Sequence, residues 1–490
     1  MTITSQIPAD RLQPRTWVEL DFTSHSRGAS PNERNALVIG MRTTGSGLAV
    51  SNVPYEVVTE ADADDLFGEG SEAATMCRVV FAVWRSIEEQ GLGGAGRLFA
   101  IGTIAPAGVA ATGTVTFTGP ATEGGTFDII VAGVRCPVNI TSGDSAATMA
   151  AAFKASVDQK RLFLPVTASI AGAVVTLTYN HLGLNGNLVT QKLDQAQRLM
   201  AGVGVAFSAA TLASGTLNAS LTNALDASLN RLYKGVAIAE SDATTLGVMV
   251  TYVGTSWSPA KKNFGRVFTG SRGSIAAGTT LAAASNHVET TILGCTGIPA
   301  HPMHLAAAGA AIRTANDRPS FNWDGLVLPF LAPDVVDAYD QESEFQSVLY
   351  GGVSALGPDG TGLVKLSRLI TTKTTEGGIR FDETIDTIIP DTLAELGLRI
   401  DAQIAALIQH ESMDDQLIAD AKSTAYDECK AAEKERWISG VDDLAPSLLA
   451  ERHPTNRNRI VTQVPAFPLP AAHQAVTKMV LWTEATRSGT

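Results

Sequence analysis

The sequence predicts an α/β core interrupted by a β-rich inserted domain and flanked by extended N- and C-terminal arms. Three observations carry this. Short apolar runs alternate with amphipathic helical stretches through residues 36–105 and again from 193 onward, the pattern of a layered α/β fold. Between them, residues 106–192 turn to Thr, Val and Gly with period-two alternation, as in GTVTFTG at 113–119, which reads as strands. At the ends, residues 1–35 and 461–490 lack sustained periodicity and carry isolated strand-like segments among prolines.

In chain order, residues 1–35 read as an N-terminal arm. Its segment TWVELDF (16–22) alternates Trp17, Glu19 and Asp21 against Val18, Leu20 and Phe22 after Thr16. Such a strand on a loose arm needs a partner from elsewhere in the fold or from another chain. Residues 36–105 form the first part of the core. ALVIGM is a short buried strand, and EADADDLFG is a short helix stopped by glycine. Ser71 caps the next helix, whose residues Ala73, Cys77, Val80, Trp84 and Ile87 share one face. That helix ends at Gly91, and RLFAIG follows as a buried strand.

Residues 106–192 form the inserted β-rich domain, with strands at 113–119, either side of a Gly-Val turn at 126–141, and around Ala171-Gly172, plus a helix at 145–157. The second part of the core spans 193–389. A helix leads into the strand GVAIA, and TLGVMVTYVG, RVFTGSRGS and GLVLPFLAP read as further strands around the small-residue helix LAAAGAAIR. Residues 390–460 form a helical part with two long amphipathic helices across 391–411 and 414–438. In the terminal segment 461–490, Pro465, Pro468 and Pro470 make a bend that is not central sheet. The last strand follows as Ala475, Val476, Thr477, Lys478, Met479, Val480, Leu481 and Trp482.

The 490 residues suit roughly three domains of about 150 residues. With 45% hydrophobic and 17% charged residues the chain has the apolar surface for a large core. A net charge of −13 argues against a general nucleic-acid binder, which needs a basic face to displace phosphate counterions. No basic head precedes an apolar run at the N-terminus, and no run of about 20 apolar residues exists. Neither a secretory signal nor membrane insertion is therefore expected, and synthesis in the cytosol is.

Several motifs imitate chemistry. Gly91, Gly93 and Gly96 spell G-x-G-x-x-G, but a dinucleotide loop follows a strand and opens a helix. Here the helix comes first, so a phosphate would meet its carbonyl end. GMRTTGSG at 40–47 lacks the Lys and Ser/Thr of a phosphate loop. GTSWSPA at 254–260 offers Ser256 as a peptidase nucleophile, yet His25 and His181 lack the flanking residues of a catalytic base. Cys295, His301 and His304 lie close in sequence without a fourth ligand. Arg-rich ERHPTNRNR at 451–459 reads as a surface patch that meets acidic neighbours. No catalytic residue, cofactor or metal site is expected, and the loose strand-bearing ends point to assembly.

One stretch carries a resemblance. NDRPSFNWDGLVLPFLAPD, then LYGGVSALGPDGTGLVKLSRLITTKTT, then DETIDTIIPDTLAELGLRI run in order from Asn316 to Ile400. Upstream, ITSQIPADRLQPRTWVELD, ALVIGMRTTG and LFGEGSEAATM add to it. This succession resembles the tail sheath proteins of contractile-tailed bacteriophages, closest to the Mu-like group, over nearly the whole chain. The family carries a subtilisin-like fold label, and the missing triad here makes that a label of fold rather than activity.

The resemblance implies a multi-domain sheath fold and a structural, non-enzymatic subunit of the virion. It implies a homo-oligomer of six-fold rings, stacked helically around a tail tube, with baseplate and tail terminator proteins as further partners. A metastable extended lattice would contract and drive the tube through the host envelope. The arm segments at 16–22 and 475–482 would add strands to neighbouring subunits, and the helices across 391–438 are candidates to face the tube. The sheath of a tailocin is the close alternative, and a subtilisin-like serine hydrolase the distant one. The scattered Cys77, Cys136, Cys295 and Cys429 read either as buried free thiols or as inter-subunit disulfides.

Overall fold

The structure is a computed structural model that describes residues 34–258, 261–334, 344–409, 411–454 and 458–470. The arm strands at 16–22 and 475–482 lie outside the described residues.

Strand β1 (Asn35–Met41) is buried at every position. After it come β2 (Pro54–Val57) and α1 (Glu60–Phe67), which opens on a capping box between Thr59 and Asp62. Helix α2 (Glu72–Glu89) starts where Ser71 Oγ accepts from the Ala74 amide at 3.1 Å. Its predicted stripe, Ala73, Cys77, Val80, Trp84 and Ile87, is buried. Strand β3 (Arg97–Thr103) returns parallel to β1.

The chain then leaves the core. Strands β4 (Thr112–Thr118), β5 (Gly125–Val131) and β6 (Val134–Ile140) precede α3 (Ala146–Gln159). Strands β7 (Val166–Ala171), β8 (Val174–Tyr179), β9 (Gln191–Leu193) and β10 (Gly204–Phe207) follow. They make two sheets, ordered β10-β4-β8-β7 and β6-β5-β9. Helix α3 packs on both, and Phe117, Phe127, Phe153 and Leu177 meet in a separate apolar core. The β5–β6 turn is Ala132-Gly133 rather than the predicted Gly-Val, because both residues take positive φ, at 48° and 84°.

Back in the core come α4 (Thr222–Ser228), β11 (Gly235–Ile238), α5 (Ala243–Ser256) and β12 (Arg266–Ser271). Then α6 (Ile275–Ser285), β13 (Thr290–Gly294), α7 (Pro302–Thr314) and β14 (Val327–Leu331) follow. Helix α8 (Glu344–Tyr350), β15 (Ser354–Pro358) and β16 (Leu363–Leu366) complete the sheet. One expectation is overturned: TLGVMVTYVG is helical, within α5. Its Val and Thr content suggested a strand, but β11 and β12 are parallel. A parallel pair needs a crossover, and Leu246, Met249 and Val253 place the buried face at helical spacing.

Among the described residues the core sheet has nine strands, ordered β14-β16-β15-β13-β12-β11-β1-β3-β2. Strands β3, β1, β11, β12, β13 and β15 are mutually parallel, which requires cover on both faces. Ala36, Val38, Leu98 and Ala100 face α2 and α7, whereas Leu37, Ile39, Phe99 and Ile101 face α4 and α5. The sheet is therefore wound outward in both directions from β1.

Past the sheet, β17 (Thr375–Glu376) and β18 (Ile379–Arg380) pair antiparallel. The long helices α9 (Ile388–Ile408) and α10 (Asp415–Lys434) pack together, as their amphipathic pattern predicts. Strands β19 (Ile438–Ser439), β20 (Leu449–Arg452), β21 (Ile460–Gln463) and β22 (Phe467–Pro468), with α11 (Val441–Leu444), form two small ribbons, β20–β21 and β19–β22. Pro468 sits in such a two-stranded pair, where a missing N–H is tolerated.

Candidate functional site

In a doubly wound sheet the ligand crevice lies outside the carboxyl ends of the strands, where the winding reverses. Here that point is the end of β1, between β3 and β11. The β-rich segment leaves after β3 and rejoins before β11, so its residues come down on this crevice.

Glu72, the first residue of α2, is fully buried at that point. Helix N-termini attract anions, and this one is occupied by the chain's own side chain. Glu72 Oε2 accepts from the Met41 amide at 2.9 Å. Glu72 Oε1 accepts from the Tyr179 hydroxyl at 2.6 Å and from Asn185 Nδ2 at 3.0 Å. The Glu72 amide donates to His181 Nε2 at 3.3 Å. His301 Nε2 meets the Asn185 carbonyl at 2.9 Å, and the His301 ring stacks near Tyr179 with centroids 6.3 Å apart. Side chains of the β-rich segment thus fill the crevice and hold it to the core.

A second carboxyl, Glu240, follows β11 and is 1% exposed. Neither of its oxygens has a hydrogen-bond partner among the described residues. Burial, and next the charge of Glu72, push it well above the usual carboxylate range. Burial also holds the His181 imidazole below its ordinary value and pushes His301 down to about 4 and His304 to about 3. This pole of the sheet is buried, and its burial favours the neutral form of His181, His301 and His304.

The opposite pole holds a buried ion network. Lys234 lies just before β11 and Arg266 opens β12, and both are at the amino ends of their strands. Arg313 lies in the last turn of α7, and Asp391 and Glu395 are in the early turns of α9. Arg266 donates to Asp391 Oδ1 at 2.8 Å, Arg313 Nε lies 2.9 Å from Asp391 Oδ2, and Lys234 pairs with Glu395. Arg313 also donates to Glu395 at 3.3 Å. None of the five is more than 7% exposed. Helix α9 is therefore joined to the sheet by charges removed from water, where each charge depends on its partners.

The residues singled out by motif go elsewhere. A Cβ on Gly93 would stand 2.3 Å from the Ala315 carbonyl oxygen, and one on Gly96 2.3 Å from that of Arg34. These glycines serve close packing at the amino end of the sheet. Ser256 is buried in the last turn of α5 and donates its hydroxyl to the Val253 carbonyl at 3.1 Å. His301 uses both ring nitrogens, since Nδ1 accepts from the Met303 amide at 3.2 Å. Cys77, Cys136, Cys295 and Cys429 are all buried and free. In the basic run, Arg452 donates to the Met413 carbonyl at 3.3 Å and lies 3.9 Å from Asp415. Sequence reading missed Glu240, Lys234, Arg266, Arg313 and Asp391. The available signal was a lone charge flanking an apolar strand, as in KGVAI, AIAE and RVFTG.

No family model matches the chain. Over 356 residues, it is 28% identical to the Mu-like prophage FluMu tail sheath protein of Haemophilus influenzae, covering 71% of this chain and 70% of that protein. The chain is thus similar to a phage tail sheath protein over most of its length. The sheath fold is seen in solved structures as well. The sheath tail protein of Desulfitobacterium hafniense matches with a TM-score of 0.50 and 11% identity over 92% of this chain and 96% of that one. That of Listeria innocua matches at 0.52 and 10%, over 89% and 92%. A chain of the anti-feeding prophage baseplate, solved by cryo-EM with six-fold symmetrisation, matches at 0.50 and 10%, over 96% and 99%. The mixed α/β architecture of the chain is thus shared with proteins of very different sequence.

Proposed function

We propose that the chain is the structural subunit of a contractile phage tail sheath and not an enzyme. The observation that carries this is the similarity to a Mu-like prophage tail sheath protein over 71% of the chain. In this reading the subunits form six-fold rings stacked around a tail tube, with baseplate and terminator proteins at the ends, as part of the virion. The extended lattice is metastable, and its contraction drives the tube through the host envelope. Such a device needs two packings of one chain separated by a barrier, with the contracted one lower in free energy.

Two buried polar poles support the reading, because a subunit that moves as a body must not come apart as it moves. Glu72 holds the β-rich segment to the core, and Asp391 with Glu395 holds helix α9. The segment at 106–192 would face outward, away from the lattice core. The arm segments at 16–22 and 475–482 would add strands to neighbours, since β-augmentation supplies main-chain hydrogen bonds and head-to-tail contacts of this kind build rings and helices.

The experiment is negative-stain microscopy of the purified full chain and of two truncations, lacking residues 1–22 or 475–490. Hollow striated cylinders from the full chain, and folded subunits without cylinders from each truncation, are expected. A monodisperse full-length chain that a serine-reactive probe labels at Ser256 would replace the sheath with the hydrolase. The sheath of a phage-derived injection system is the second reading, favoured by the likeness to a chain of the anti-feeding prophage baseplate.

A further inference from the structure

A cleft of about 470 Å³ opens between the α/β core and the β-rich segment. Helix α2 and strand β14 supply one wall, and the Ala132-Gly133 turn with the end of α3 supplies the other. Its lining is apolar for the most part, through Val79, Val134, Phe330 and Leu331. The charged groups are Arg78, Arg85, Arg135 and Lys160 against a single carboxylate, Glu60.

These cations are unequally satisfied. Arg78 donates to Glu60 at 2.7 Å and pairs with Asp64, and Arg85 shares Glu60 at 2.9 Å. Arg135 lies 3.0 Å from Asp194 but is half exposed. Lys160, one residue past α3, has no ion-pair partner among the described residues. Phe163 stands 47% exposed at the rim, with the Arg78 guanidinium 5.2 Å from its ring centre. On the floor, His304 is 6% exposed, and its Nε2 has no hydrogen-bond partner among the described residues.

Strand β14 is an edge of the sheet, and part of that edge is already taken. Gln90 Nε2 donates to the Val327 carbonyl at 2.9 Å and Gln90 Oε1 accepts from the Val327 amide at 3.2 Å, and Pro329 has no N–H. An occupant would therefore be read by its side chains and not by strand addition.

We propose that this cleft receives an acidic, apolar segment of a second copy of this chain. The inference rests on the polymer reading above. An apolar side chain would cover Phe163 and Leu331, and a carboxylate would pair with Lys160 beside Arg135. The unpartnered His304 nitrogen would gain a polar neighbour. Charge complementarity selects the occupant: the cleft is cationic while the chain carries a net charge of −13. Arg and aromatic groups around an apolar floor are also the residue types that dominate protein interfaces.

The test places a photo-crosslinking residue at position 160 in the full chain, irradiated as free subunit and as polymer. A crosslink to an acidic segment of another copy, in the polymer only, is expected. In parallel, Lys160→Glu should raise the concentration needed for polymerisation about tenfold, since it sets like charges against each other. Circular dichroism checks that this variant is folded. Polymers in which position 160 links only to its own chain overturn this inference alone, as does Lys160→Glu polymerising at the unaltered concentration. A full chain that forms no polymer overturns the sheath reading, and this inference with it.

Discussion

The Tyr179 hydroxyl donates a 2.6 Å hydrogen bond to Glu72 Oε1 across 107 residues of sequence. It joins the end of β8 to the first residue of α2, so the β-rich segment and the core share one buried carboxylate. Removing the Tyr179 hydroxyl leaves a buried acceptor short of a partner. Tyr179→Phe is expected to cost about 1–3 kcal/mol. Urea denaturation measures it, and limited proteolysis should cut sooner at the junction. A variant as stable as the parent would mean that the apolar core of the segment alone holds the junction.

Glu240 sets a pH dependence. Its folded value lies above the ordinary 4.5, so the folded state holds a proton that the unfolded state gives up. Its contribution is complete below about 4.5 and is lost as pH rises toward the folded value. Glu240→Gln removes this loss and presents an amide donor near Glu72. The variant is therefore expected to be more stable than the parent at neutral pH, with the gap narrowing toward pH 4.5. Denaturation curves at several pH values measure the gap, and a constant offset would remove Glu240 as its source.

The ion network predicts a contrast in magnitude. Asp391→Asn leaves Arg266 and Arg313 buried with too little negative charge, a change that costs about 3–5 kcal/mol. Asp401 also pairs with a lysine, Lys262 at 2.6 Å, but both side chains are nearly half exposed. Asp401→Ala should cost no more than about 1 kcal/mol. Thermal melts of the two variants decide between burial and ion-pair geometry as the source of stability, and equal losses would favour geometry.

All four thiols sit in apolar surroundings, and burial pushes Cys136 and Cys295 up to about 12 and raises Cys77 and Cys429. Thiolate, not thiol, is the reactive form. Native protein is expected to react negligibly with a thiol reagent and to show four thiols after denaturation. A disulfide to another chain would require a thiol to leave its core, so a crosslinked ladder on non-reducing gels of assembled polymer would reveal such an opening.

Much of the local structure was legible because local physics decides it. The Ser71 cap and the stripe from Ala73 to Ile87 define α2 within one segment, and α9 and α10 carry their own amphipathic pattern. The glycines at 91–96 were readable as a turn because chain order alone places a helix before them and a strand after. Helix α5 was misread because Val, Thr and Tyr fit either element, and only the parallel pairing of β11 with β12 requires a crossover there.

By itself, the sequence determined the alternation of helix and strand, the change of texture after β3 and the resemblance to tail sheath proteins. These follow from side-chain periodicity and from the order of motifs, which need no knowledge of distant contacts. The tertiary structure alone decided that Glu72 meets Tyr179 and Asn185, that Glu240 is left without a partner, and that Asp391 and Glu395 bind Lys234, Arg266 and Arg313. The physical reason is that a charged residue reads as surface in a sequence. Whether it is instead buried and paired depends on which strands and helices close over it, and those lie far away along the chain.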